Sequence, residues 1–394
     1  MQIDTAVVLA AGEGTRLRPL TSNRPKPMLP AAGRPILEHV LDTLVDVGIE
    51  RLVLVVGYSR QRVQGHFGHS YRDVPITYAR QGKQLGSGHA LKQAEISVDP
   101  PLLVVNGDRV LEERIVADTL EAFDGTPTLA VIEHANPSEY GAATIEGDRL
   151  VELVEKPDTD GVGLINAGVY AFDESVFDAA DRTELRDGEL QLPDIVATLM
   201  TERSVRAVRT DGLWVDATYP WDLLYLTREL LSHGRVPYPE QYPGVWIADG
   251  AQIHESAALQ APAVVGPDAV VAAGAVVGSD TVVGRNTTVG ANATVVSSLI
   301  DDDGRIGAGA TLVDCVAGTD VSIGTGTVVS GGAADIAVDD RVFQDQRLGA
   351  AIADRASIGG GSAIAPGALV GAGATVGHGV RLEGRIPDGA EVVR

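Results

Sequence analysis

The chain has 394 residues with 54 acidic and 31 basic side chains, a formal net charge of −23, which repels phosphate backbones and anionic lipids and argues against nucleic-acid or membrane partners. Only four of the basic residues are Lys (Lys26, Lys83, Lys92, Lys156) and Asp outnumbers Glu 33 to 21, a balance expected of a halophile whose surface charge keeps it dissolved in a salty cytoplasm. The single Cys315 leaves no disulfide framework or Cys-rich zinc site, and neither a charged-then-apolar leader nor a run of the ~20 apolar residues a membrane helix needs is present, so a cytoplasmic location is expected.

Residues 5–9, 52–56 and 102–105 read as buried aliphatic strands, and Ile36, Leu37, Val40, Leu41, Leu44 and Val45 recur at helical spacing between the first two. Alternating strands and helices imply an α/β domain, Rossmann-like, whose largely parallel sheet is covered on both faces. Ligands of such sheets bind beyond the carboxyl ends of the strands. The first strand runs into Leu9-Ala10-Ala11-Gly12-Glu13-Gly14-Thr15-Arg16-Leu17-Arg18. Small residues there let backbone amides approach phosphate oxygens, and Arg16 and Arg18 add planar cationic donors. Lys26, in Lys26-Pro27-Met28-Leu29-Pro30, is one of four lysines in a chain that otherwise uses Arg. A compact ammonium suits a phosphate as a point charge.

Further along stand Gln81-Gly82-Lys83-Gln84-Leu85-Gly86-Ser87-Gly88-His89-Ala90, a polar glycine-rich stretch before a helix, and Asn106-Gly107-Asp108 at the end of the third strand. A carboxylate at that strand end suits a hard cation such as Mg²⁺. Tyr140-Gly141, Glu155-Lys156-Pro157, Asn166-Ala167-Gly168 and Trp214-Val215-Asp216-Ala217-Thr218-Tyr219-Pro220-Trp221-Asp222 follow in order.

From about residue 247 aliphatic residues recur every six positions: Ile253, Leu259, Val265, Val271, Val277, Val283, Val289, Val295, then Ile352, Ile358, Ile364, Val370, Val376, Leu382. A six-residue period is that of a hexapeptide β-helix, in which Gly, Asn or Asp take the tight corners. Residues 301–305 and 329–351 break the rhythm and are expected to be protruding loops. The domains are therefore expected at 1–235 and 247–394, with a Pro- and Tyr-rich linker at 236–246.

The N-terminal strings closely resemble those of the sugar-1-phosphate nucleotidyltransferases, in order over about residues 6–225. The two-part layout resembles the archaeal bifunctional N-acetylglucosamine-1-phosphate uridylyltransferase and glucosamine-1-phosphate acetyltransferase, which implies a left-handed β-helix and assembly into a homotrimer. The resemblance implies nucleotide binding by Leu9, Ala10, Ala11, Gly12, Gln81, Gly86 and Ser87, with Gln81 facing a uracil edge. It implies sugar-phosphate binding by Gly141, Glu155, Lys156 and Asn166. It assigns Mg²⁺ to Asp108 and Asp216, and catalysis to Arg16, Lys26 and Asp108.

The implied reaction is in-line attack of a sugar-1-phosphate oxygen on the α-phosphorus of UTP or dTTP. Its nucleophile is already an anion, so positioning and charge neutralisation suffice. N-acetylglucosamine-1-phosphate is the sugar the Gln81–Ala90 string points to. A second activity would use acetyl-CoA. It needs a proton acceptor, and the β-helix offers only His254 and His378. Where the archaeal family tends to have Ala-Asn-Leu-Arg and then Lys-Leu-Gly, this chain reads Ser330-Gly331-Gly332-Ala333 and Arg347-Leu348-Gly349. Two other readings stand beside the bifunctional one. One is a glucose-1-phosphate uridylyl- or thymidylyltransferase whose β-helix is structural or regulatory. The other is a non-catalytic regulatory subunit.

Overall fold

The computed structural model describes residues 3–155 and 161–393. They form two compact units. The first comprises residues up to Glu13, Pro25–Met28 and Ile36–Asp216; the second comprises Gly14–Arg24, Leu29–Pro35 and the chain from Ala217.

The first unit is built on a ten-stranded sheet. Thr5–Ala10 lies at its centre, parallel to Arg51–Val56 on one side and Leu102–Asn106 on the other, and Val74–Arg80 continues the parallel set. Beyond Leu102–Asn106 the sheet turns antiparallel through Gly163–Phe172, which also pairs with Thr128–His134. The sheet is thus parallel at the strand ends that carry the first motifs and mixed elsewhere.

The aliphatic strands alternate between two cores because successive side chains leave a strand on opposite faces. Ala6, Val8, Leu52 and Leu54 pack with Leu37, Val40 and Leu44 of the helix Ile36–Asp46. Val7, Val53 and Val55 pack on the other face with Leu91 of Ser87–Ala94 and with Ile195, Val196 and Leu199 of Leu192–Glu202. Burial on both faces explains the unbroken hydrophobic runs.

The second unit stacks short strands into three parallel sheets, as in a left-handed β-helix. Val271 pairs with Val289, and the column continues through Ile306, Ile323, Ile358 and Val376. These residues point into one aliphatic core. Asp268, Asp280, Asn286 and Asn292 take left-handed corners with φ of 51–57°, the conformation for which Asn and Asp carry the least penalty after Gly.

One expectation changes, and two other stretches gain detail. Residues 301–305 do not protrude: the Asp301 amide bonds to the Ala317 carbonyl, and Arg305–Ile306 pairs in register with Thr288 and Val289. The rhythm is lost only because these coils are one residue shorter. Residues 329–351 hold an antiparallel hairpin, Ala333–Val338 with Arg341–Arg347. The stretch read as a linker contributes Glu240–Tyr242 and Val245–Ile247 to the first edge of a β-helix sheet. The helix Asp222–Ser232 also belongs to the second unit, where Arg228 stands 3.4 Å from Asp280. Among the described residues no helix is long and apolar enough to cross a membrane.

Candidate active site

The register of the parallel strands sets Leu9 opposite both Val55 and Asn106. Gly107 then donates its amide to the Leu9 carbonyl at 2.9 Å. A Cβ on Gly107 would lie 2.9 Å from Val8 and 3.1 Å from Ala10, so only glycine lets the chain turn this close to the first strand. That approach places Asp108 beside the end of Thr5–Ala10. Ala10 and Ala11 are buried, whereas a Cβ on Gly12 would meet nothing within 4 Å. The backbone there is open to a phosphate.

Asp216 reaches the same place through a separate two-stranded sheet. Trp214–Asp216 pairs antiparallel with Arg109–Leu111, with Asp216 opposite Arg109. Lys26 lies between the two acids, its Nζ 2.9 Å from Asp108 Oδ2 and 2.6 Å from Asp216 Oδ1. Burial opposes the charge on Lys26, but the two carboxylates outweigh it and hold the ammonium above the ordinary lysine value.

Arg109 adds a second cation, its Nε 3.7 Å from Asp216 Oδ2. Its guanidinium lies 5.2 Å from the Trp214 ring and 5.9 Å from that of Tyr140, within cation–π range. Tyr140 and Trp214 meet edge to face at 5.0 Å, and the Trp214 Nε1–H donates to the Ala167 carbonyl at 2.9 Å. Burial opposes the charge on Arg109 too, and Asp216 and Asp108 raise it overall. Two cations thus offset two carboxylates.

The donor chemistry of the two acids is of the kind that suits Mg²⁺. Asp108 and Asp216 supply hard oxygens on either side of Lys26 Nζ, which occupies the point they share, and Mg²⁺ usually takes one or two carboxylates and fills its other positions from phosphates and water. Among the described residues no group of three or more His, Cys, Asp or Glu gathers to hold a metal unaided, so an ion on this pair would share its coordination with substrate.

Three of the residues expected to bind the sugar phosphate, Gly141, Glu155 and Asn166, also gather. Gly141 pairs with Glu155 across a hairpin, and Ala142 pairs with Ile165. A Cβ on Gly141 would lie 3.0 Å from Glu155 Oε2 and 3.7 Å from Asn166. Asn166 is buried; its Nδ2 donates to the Tyr170 hydroxyl and its Oδ1 accepts from the Gly168 amide at 3.0 Å. Burial pushes the Tyr170 phenol up to about 12. Lys156 lies outside the described residues.

Of the residues expected to face the base, Gln81 is buried and its Nε2 meets the Gly86 carbonyl and His89 Nδ1, each at 3.0 Å. Burial, with a smaller effect of Lys92, lowers the His89 pKa, consistent with a neutral ring at this contact. Gln84 donates to the Ala11 carbonyl at 3.0 Å, tying this loop to the first motif. Both glutamines line a cleft of about 660 Å³ with Glu13, Arg60, Arg80 and Lys83. Ser87 is turned elsewhere: its hydroxyl donates to Gln191 Oε1 at 3.0 Å and accepts from the Leu192 amide at 2.9 Å. Gly86 presses on the Leu190 carbonyl, which leaves no room for a side chain.

Arg16 is exposed on the 3-10 turn Thr15–Leu17, within the second unit. Sequence reasoning gave no role to Arg109, Trp214, Tyr140 or Gln84. Arg109 follows Asp108 directly and Trp214 opens the string that carries Asp216, so adjacency was the available signal.

Residues 5–232 match the family model described as nucleotidyl transferase, and residues 242–344 that described as GMPPB C-terminal domain. The chain is 36% identical over 229 residues to the bifunctional protein GlmU of Methanocaldococcus jannaschii, covering 58% of this chain and 54% of that one. It is 37% identical over 224 residues to the UTP–glucose-1-phosphate uridylyltransferase AglF of Haloferax volcanii, covering 55% and 92%. A UDP-glucose pyrophosphorylase solved with UDP-glucose superposes with a TM-score of 0.53 at 22% identity, over 59% of this chain and all of that one; this likeness shows the fold alone. The chain spans about half the length of the bifunctional relatives it matches, so the resemblance expected over nearly the whole chain narrows to its N-terminal part, and the C-terminal match is of another type. With more than half of its length matched by that model, the chain belongs to the nucleotidyl transferase family.

Proposed function

We propose that the chain transfers a nucleotidyl group from UTP, or dTTP, to a sugar-1-phosphate, with N-acetylglucosamine-1-phosphate as the first candidate, giving a nucleotide sugar and pyrophosphate. The observation that carries the reading is the convergence of Asp108 and Asp216 on Lys26 beside the open backbone at Gly12. A non-catalytic regulatory subunit has no need of this cluster.

The sugar-phosphate oxygen forms the new bond to the α-phosphorus as the bond to the bridging oxygen of pyrophosphate breaks. No proton moves, so the residues act by position and charge. The amides near Ala11 and Gly12 receive the triphosphate. Lys26, kept cationic by its two acids, faces the charge that grows on the leaving group, and Arg16 supplies a second cation from its exposed turn. Glu155 and Asn166 accept and donate to sugar hydroxyls beside the Gly141 amide, and Lys156 neutralises the sugar phosphate. Gln81, whose Nε2 is held by Gly86 and His89, presents its amide oxygen to the base. Mg²⁺ bound by Asp108 and Asp216 would neutralise phosphate charge.

A second sugar is favoured by a specific observation: AglF, named for glucose-1-phosphate, is as similar over this region as GlmU. Acetylation of glucosamine-1-phosphate by acetyl-CoA has weaker support. The C-terminal match is to the GMPPB type, and the hairpin region 329–351 carries Asp335, Asp339, Asp340 and Asp345, which disfavour an anionic cofactor. We assign the catalysis to residues 1–235 and the assembly of a trimer to the β-helix, 247–394.

The test is pyrophosphate release in molar KCl and Mg²⁺, crossing UTP, dTTP, GTP and ATP with N-acetylglucosamine-1-phosphate, glucosamine-1-phosphate and glucose-1-phosphate. Release with one pyrimidine nucleotide and one sugar phosphate is expected. No release from any pair overturns the proposal.

A further inference from the structure

Arg24 lies two residues before Lys26, yet its side chain is built into the β-helix. It is 6% exposed. One terminal nitrogen donates to Asp301 Oδ2 at 2.6 Å; the other donates to Asp354 Oδ1 and, at 2.9 Å, to Thr319 Oγ1. These three partners sit at the same corner of three successive coils, just after the strands Leu299–Ile300, Cys315–Ala317 and Ala350–Ile352, which pair in register. Thr319 completes the cluster: its hydroxyl donates to Asp301 Oδ2 at 2.8 Å and its amide to Asp354 Oδ1 at 3.2 Å. The neighbouring Gly318 is required, because a Cβ there would fall on Asp354 Oδ1.

The cluster is specific for arginine. A planar fork can satisfy two carboxylates at once, which a single ammonium cannot do with the same geometry. Both acids are buried as well, Asp301 at 9% and Asp354 at 4% exposure. Buried carboxylates persist only with paired and hydrogen-bonded partners, so the corner and the arginine require each other. A loop of mere length would need no such pairing.

We infer that Arg24 is a positioning residue: it fastens the stretch Gly14–Arg24, which carries Arg16, to the β-helix. The inference rests on the proposed function for the role of Arg16. Nothing in it requires acetyl transfer or an effector.

The test uses the full chain in molar KCl with two variants that leave Arg24 itself in place. Asp354→Asn removes one charge of the grip; Gly318→Ala removes none and pushes Asp354 aside. Two readouts are taken. Hydrogen exchange of amides in 14–24 should speed up by about tenfold in both variants, while the strands at 5–10 and 51–56 keep wild-type exchange. In nucleotidyl transfer the KM for the nucleotide should rise about fivefold or more, with the KM for the sugar phosphate within about twofold of wild type. Loss of folded protein would instead lower kcat with both KM values unchanged, and that result overturns the inference. So does unchanged exchange in 14–24. If the wild-type chain turns over no substrate pair, the proposed function fails separately, and the exchange measurement still decides whether Arg24 holds the segment.

Discussion

Lys26 Nζ lies 2.6 Å from Asp216 Oδ1 across 190 residues of sequence, and 2.9 Å from Asp108 Oδ2. One ammonium thus joins the first motif of the chain to the last motif of its first unit. The pairing of Trp214–Asp216 with Arg109–Leu111 makes this possible.

Replacement of Asp108 by Asn keeps the shape of the side chain and removes its charge. The turnover should fall roughly a hundredfold or more, the scale of losing a preorganised electrostatic contact, while the circular dichroism spectrum stays that of wild type. Asp216→Asn should cost stability as well, since Asp216 is the more buried partner and its loss leaves Lys26 with one acid; breaking a buried pair costs about 3 kcal/mol. Near-normal turnover in Asp108→Asn would end the assignment of this pair to Mg²⁺ and phosphate.

The two lysines should separate kinetically. Lys26→Ala should slow kcat, because its ammonium acts on charge that develops during the reaction, whereas Lys156→Ala should raise the KM for the sugar phosphate. The pH dependence follows from the raised Lys26 pKa. A folded-state value above the unfolded one stabilises the fold fully below the unfolded pKa, about 10.4, and that stabilisation is lost as pH rises through the folded value. Wild-type stability should therefore hold through pH 10. In a variant lacking both Asp108 and Asp216 charges, burial acts on Lys26 unopposed, so its loss of charge should move to lower pH. Alkaline unfolding curves of the two proteins measure this, and coincident curves would refute the pairing.

Much of this site was legible because each motif follows a strand, and the sheet brings strand ends together whatever their distance in sequence. The six-residue period likewise specified the β-helix, since each inward aliphatic residue repeats the same packing. What escaped was local length and long-range pairing. The coils after Val295 are one residue short, so the period slipped at Asp301 although the ladder did not. Arg24 gave no sign of its partners, because Asp301 and Asp354 are ordinary acids in a chain with 33 Asp. Nor did the string around Ser87 show that its hydroxyl meets Gln191 and Leu192.

Cys315 offers an internal reporter. It is fully buried in the β-helix core, and burial, with a smaller contribution from Asp314, pushes its thiol up to about 12. The thiolate is the reactive form, so at pH 8 native protein should be inert to a disulfide-exchange reagent. Under denaturing conditions the thiol returns to about 8.5 and should react at once. Labelling followed along a denaturant series should therefore track the unfolding of the β-helix. Rapid labelling of the native protein would show that this core opens locally.

Assembly should depend on salt with a definite sign. The net charge of −23 per chain makes association of like subunits costly at low ionic strength, where the screening length is about 30 Å in 0.01 M salt and about 3 Å in 1 M. If the flat sheets of the β-helix bring three chains together, sedimentation in molar KCl should report a trimer of about 123 kDa from the 41.1 kDa chain. Dilution into 0.01 M salt should shift it toward monomer, and added KCl should restore it. The hairpin Ala333–Arg347 carries four of the acids, Asp335, Asp339, Asp340 and Asp345. Changing Asp339 and Asp340 to Asn should leave the molar-salt trimer unaltered and lower the salt needed to hold it only if this hairpin approaches another subunit. A chain that sediments as monomer in molar KCl at micromolar concentration would remove the trimer from the proposal while leaving the nucleotidyl transfer site untouched.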